Sequence, residues 1–139
     1  MGLAYEDIEL TNWYDLENAR RYIIGEDEVK KLTVSMPVDT GAYMLNINET
    51  IQEVLQLPFV QRRKGQTADG RIMEYDVVGP VRVEFQGRIS TCNAMVLPGE
   101  NEPLLGAIPM EEMDLVVLPQ RQKLVVNPDH PDYPLMQLK

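Results

Sequence analysis

Among its 139 residues the sequence has one cysteine, Cys92, and one histidine, His130. A single cysteine excludes an internal disulfide and suits a reducing compartment. One cysteine and one histidine also exclude a Cys/His zinc site within one chain. Basic residues are in short supply: 13 Lys and Arg stand against 22 Asp and Glu, for a net charge of −9. Such a chain repels phosphate backbones and anionic lipid, so neither nucleic acid nor a membrane surface is an expected partner. No apolar run approaches the ~20 residues that a bilayer span requires. The stretch from Met1 to Asp7 lacks the apolar core of a secretory leader. A soluble, cytoplasmic protein is therefore expected, of a length that suits one domain with a sizeable core.

What the sequence does have is short alternating or β-branched runs broken by Gly, Pro and Asn, which read as mostly strand. Tyr5 to Asn12 reads as a strand. Asp15 is placed to cap a short helix over Leu16 to Ile24, with Gly25 at its stop. Glu26-Asp27-Glu28 reads as a solvated turn, and Val29 to Val38 as a strand. Asn48 caps a second helix in which Ile51, Val54 and Leu55 share a face, ended by Pro58. Phe59 to Thr67 and Arg71 to Val78 pair around Asp69-Gly70, a two-residue hairpin signal. Gly79-Pro80 makes a corner, Val81, Val83 and Phe85 alternate, and Gln86-Gly87 turns the chain into a strand over Ile89 to Leu97. A helical stretch runs from Pro109 to Met113, and Leu115 to Leu118 pairs with Lys123 to Val126. The tail from Asn127 to Lys139 looks extended or disordered, and His130 within it looks like an exposed loop residue. Met36, Met44, Met73 and Met95 are most simply core filler, Cys92 a buried small hydrophobe, and Arg62-Arg63-Lys64 a solvated strand edge.

Three features stand in an informative order: Val38-Asp39-Thr40-Gly41-Ala42 after a strand, a hairpin tipped by Asp69-Gly70, and Leu104-Leu105-Gly106 before a short helix. Any one of them is an ordinary turn or core segment. In this order, from about Thr33 to Asn127-Pro128, they resemble the retropepsin-like aspartic proteases (clan AA), and most closely the bacterial single-domain branch. The resemblance implies an all-β fold with two or three short helices, namely a closed acid-protease β-barrel with one lobe per chain. It divides the chain into an N-terminal extension (1–31, a strand plus a short helix), the protease domain (32–128) and an extended tail (129–139). The extension is either a pro-segment or an addition to the dimer interface.

The resemblance also implies roles. Asp39 is the catalytic carboxylate, Thr40 hydrogen-bonds across a two-fold axis, and Gly41 lets backbone N–H groups approach the carboxylates. Ala42 keeps the cleft floor small. Ala68, Asp69, Gly70, Arg71 and Ile72 form the flap over bound peptide, with a tip poorer in glycine than retroviral flaps. Leu105 and Gly106 support the catalytic loop beside the substrate. Two carboxyls sharing a proton activate water and protonate the leaving amine, so no metal or other cofactor is implied. One chain has one such tripeptide, and a working pair requires a homodimer with Asp39 facing Asp39. The expected activity is aspartic endopeptidase action on peptide or protein substrates. The alternative is a non-catalytic module of the same fold, used for dimerisation or peptide binding. Pro37, two residues before Asp39, lacks a backbone donor, so its strand is expected at an edge or a bulge.

Overall fold

The computed structural model describes residues 4–138, and these are mostly strand. In chain order they form β1 (Ala4–Asn12), α1 (Trp13–Arg20), β2 (Lys31–Val38), β3 (Leu45–Asn48), α2 (Glu49–Leu55), β4 (Phe59–Gln66), β5 (Ile72–Phe85), β6 (Arg88–Leu97), α3 (Ala107–Met113), β7 (Leu115–Leu118) and β8 (Lys123–Val126). The main sheet has the order β2-β1-β5-β6-β3, with β3 parallel to β6 and the other neighbours antiparallel. β7 and β8 form a separate two-stranded sheet. Pro37 lies on β2, the end strand, as its missing donor requires.

β5 belongs to two structures at once. Ile72 to Val78 pairs with β4 in a hairpin outside the main row, Val81 to Glu84 pairs with β1, and β6 runs beside Val77 to Phe85. A register shift between Val78 and Val81 separates the β4-paired stretch from the β1-paired one. It explains why Val77 and Val78 are both buried, although Val81, Val83 and Phe85 alternate with the outward pair Arg82 and Glu84.

Ile8 and Leu10 from β1, Met36 from β2, Leu45 and Ile47 from β3, and Val81 and Val83 from β5 are fully buried in one core. Ile51 and Leu55 of α2, and Met110 and Met113 of α3, cover it. The two end strands, β2 and β3, are linked by single bridges, Val38↔Leu105 and Asn46↔Leu104. Beyond this link, the closed barrel expected from sequence is not shown.

Several local expectations need correction. α1 begins earlier than expected because Asn12, at the end of β1, accepts the Asp15 N–H at 3.1 Å and acts as the cap. Asp15 instead binds both the backbone N–H and Nζ of Lys30, each at 3.0 Å. The helix ends at Arg20, and Tyr22 adopts a left-handed φ of 62°. Val54 turns to solvent, leaving only Ile51 and Leu55 on the buried face of α2. Met73 is exposed rather than in the core.

The tail is exposed from Pro131 to Leu138 but is tied to the body at His130 and Leu135. Arg88, buried at 5% exposure, donates to the carbonyls of Met113 at 3.0 Å and of His130. Asp114 accepts the Leu135 N–H and the Asn127 side-chain amide, each at 3.0 Å, and its Oδ2 lies 2.6 Å from His130 Nδ1. The Leu135 and Asn127 hydrogen bonds, with a further contribution from His130, hold the Asp114 carboxyl down at about 2. His130 is thus a half-covered anchor, not a loop residue open to solvent.

Candidate active site

Asp39 follows the last residue of β2, where a loop leads to β3. The backbone, not the side chains, fixes this loop. The Asp39 N–H donates to the Leu105 carbonyl at 3.0 Å, and the Leu105 N–H donates to the Pro37 carbonyl at 3.0 Å. On the β3 side, Asn46 and Leu104 exchange N–H···O bonds of 2.9 and 3.0 Å. Ala107 and Ile108, opening α3, donate to the carbonyls of Ala42 and Tyr43 at 2.9 and 3.0 Å. The segment from Leu104 to Ile108 is therefore threaded between the two limbs of the loop.

Gly106 permits that approach. A Cβ there would run into the Met44 carbonyl oxygen and sit 2.9 Å from the Ala42 oxygen. Within the loop, the Gly41 N–H donates to Asp39 Oδ1 at 2.8 Å and orients the carboxylate.

Asp39 opens into a cleft of about 520 Å³ whose far wall is the β4–β5 hairpin. Arg63, Gly65, Thr67, Ala68 and Tyr75 line that wall, and Met44, Met95, Leu97 and Leu104 line the near side. The hairpin ends in a three-residue loop, not the two-residue turn expected. Thr67 and Arg71 pair across it, the Gly70 N–H donates to the Thr67 carbonyl at 2.9 Å, and Gly70 takes a left-handed φ of 86°. Asp69 accepts hydrogen bonds from the Thr67 hydroxyl and from the Arg71 N–H, which lower its pKa and stiffen the tip.

Of the residues singled out from sequence, Asp39, Gly41, Ala42 and Ala68 meet in the cleft. Asp69, Gly70, Arg71 and Ile72 lie at the exposed tip, outside its lining. Leu105 and Gly106 are buried behind the loop, where they hold it from the rear. Thr40 lines a separate groove of about 390 Å³ with Ala107, Met110 and the β7 residues Leu115, Val116 and Val117. Sequence reasoning passed over Tyr43, Asn46, Arg63 and Tyr75 as cleft residues. For Arg63 and Tyr75 a signal existed: they are direct cross-strand partners, on the same face of the hairpin as Gly65.

A family model described as aspartyl protease matches residues 26–121. No curated protein matches the chain. The match covers well over half of the sequence and contains the Asp39 loop, the hairpin and the Leu104–Gly106 crossing, so the chain belongs to the retropepsin-like aspartyl protease family.

Proposed function

We propose that the protein is an aspartic endopeptidase whose active site forms between two copies of the chain. The observation that carries this reading is the Asp39 carboxylate, held by the Gly41 N–H at 2.8 Å and open to a cleft walled by the hairpin. In the dimer, one Asp39 takes a proton from water as it attacks the scissile carbonyl. The other gives its proton to the leaving amine, since two carboxyls so close share one proton. The pair titrates as a unit. The hairpin closes over bound peptide and excludes water.

Thr40 is exposed beside a mostly apolar groove that also holds Glu111, which supports its placement at the two-fold axis. The bridges at Leu104 and Leu105, tying β2 to β3, support a closed barrel as the architecture of each lobe. β1 lies between β2 and β5, which favours a structural part for the N-terminal extension over a removable pro-segment. The lone cysteine is compatible with a cytoplasmic location.

The test is digestion of a diverse peptide pool by wild type and Asp39→Asn from acid to neutral pH, with sedimentation to read the dimer. Cleavage by wild type and a loss of at least about 1,000-fold in Asp39→Asn is the expected result. Equal cleavage by both, or none by either, rejects the enzyme and leaves the non-catalytic dimerisation or peptide-binding module. A strictly monomeric protein rejects the shared site.

A further inference from the structure

Two adjacent arginines on β4 have opposite fates. Arg62 faces away from the cleft and lies near Glu74 and Asp76, at 4.0 and 3.8 Å. Arg63 faces inward, opposite Tyr75, and among the described residues it has no carboxylate within 4 Å and no side-chain hydrogen bond. Apart from Asp39, it is the only charged side chain among the described residues lining the cleft. It also borders a smaller pocket of about 170 Å³ that shares Tyr43, Met44 and Arg63 with the cleft. The rest of that pocket is Leu45, Cys92, Asn93 and Ile108. Burial pushes the Cys92 thiol up to about 11, so it stays protonated and Arg63 is the single charge there.

A small pocket lined by Met44, Leu45 and Ile108 together with Tyr43 and Asn93, and by one unpaired guanidinium, suits a side chain with an aliphatic stem ending in a carboxylate. We propose that Arg63 is the specificity-determining residue of the cleft, and that it selects peptides carrying Glu or Asp at the position seated in this pocket. The inference rests on the proteolytic reading and names its substrate class. The net charge of −9 does not oppose it. Fields beyond about 10 Å are screened at ordinary ionic strength, and inside the cleft the nearest unpaired charge decides. An arginine that merely steadied Asp39 would alter cleavage of every peptide alike. One that reads a side chain changes the ratio between acidic and neutral peptides.

Cleavage sites in a random peptide pool, mapped by mass spectrometry for wild type, Arg63→Gln and Arg63→Glu, separate these roles. Wild type is expected to favour Glu or Asp over Gln or Asn about five- to tenfold at one fixed distance from the cut bond. Arg63→Gln removes that preference, and Arg63→Glu shifts it to Lys or Arg. A wild-type profile without acid enrichment, or one unchanged in Arg63→Gln, overturns the proposal and leaves proteolysis standing. The same pool panned on Asp39→Asn and on Asp39→Asn/Arg63→Gln reads the pocket without turnover. Acid enrichment on the first and not on the second supports Arg63 even if no Asp39-dependent cleavage is found. Equal enrichment on both, or none, sinks it. Arg63 is exposed, and matching thermal melts exclude misfolding as the cause.

Discussion

Gly106→Ala adds one methyl group whose three nearest neighbours are all backbone atoms. The residue has φ −91° and ψ −174°, extended geometry that alanine adopts without strain, so the whole effect comes from the clash. The added Cβ would meet the Met44 carbonyl oxygen, with the Ala42 oxygen and the Met44 carbonyl carbon each 2.9 Å away. These clashing atoms are backbone and cannot swing aside as a side chain would. Relief requires the Asp39 loop and the Leu104–Ile108 segment to part by roughly half an ångström, in a core that tolerates little overpacking. That strains the Ala107→Ala42 and Ile108→Tyr43 hydrogen bonds, now 2.9 and 3.0 Å. Overpacking at about 1–3 kcal/mol and two weakened bonds at about 1 kcal/mol each give a loss of about 3–5 kcal/mol. Gly70→Ala is the control, because φ there is +86° and nothing lies within 4 Å of a Cβ. It carries conformational strain alone, about 1 kcal/mol. Urea denaturation of both variants at one protein concentration provides the comparison. A Gly106→Ala variant within 0.5 kcal/mol of wild type, or no less stable than Gly70→Ala, would refute the account of the crossing. In a peptidase assay Gly106→Ala should also lose cleavage, because the loop it displaces carries Asp39.

Arg88→Met should destabilise the fold by about 2–4 kcal/mol, because it leaves the carbonyls of Met113 and His130 without their donor. The urea midpoint measures this, and a change under 0.5 kcal/mol would show that water satisfies those groups. The Asp114 clasp makes the tail acid-sensitive. With its folded pKa at about 2, below the ordinary carboxylate value near 3.9, the clasp contributes fully above that ordinary value. It is lost as pH falls through about 2. Amide exchange at Leu135 should speed up over that window in wild type, while Asp114→Asn should lack the step; a step of equal size in the variant would assign it to another group.

The features legible in the sequence are those whose cause is local. Asn48 caps α2 through a bond three residues long, and the β4–β5 hairpin follows from its own strands and glycine. The crossing at Leu104–Gly106 was readable only as a family pattern, because its partners lie about 65 residues away. The start of α1 was misread because both Asn12 and Asp15 are good caps, and Lys30, fifteen residues on, claims Asp15. The docked tail left no trace in composition, since a Pro-rich segment reads as loose whether or not Arg88 reaches its carbonyl from another strand. Arg62 and Arg63 read as one basic run. Strand alternation sends them to opposite faces, and only the tertiary fold puts carboxylates beside the first and a cleft before the second.

The crossing behind Asp39 also sets a timetable. The loop around the carboxylate is closed by bonds from Leu104, Leu105, Ala107 and Ile108, so a growing chain holding only Asp39-Thr40-Gly41 has none of those closures. Pairings this distant in sequence bear a loop-closure entropy that local turns do not, and they form late. A chain still being synthesised therefore carries Asp39-Thr40-Gly41 for some 65 residues of elongation before its setting exists. Until then the Asp39 carboxylate lacks the crossing that fixes its loop, so any role it has waits on the second half of the fold.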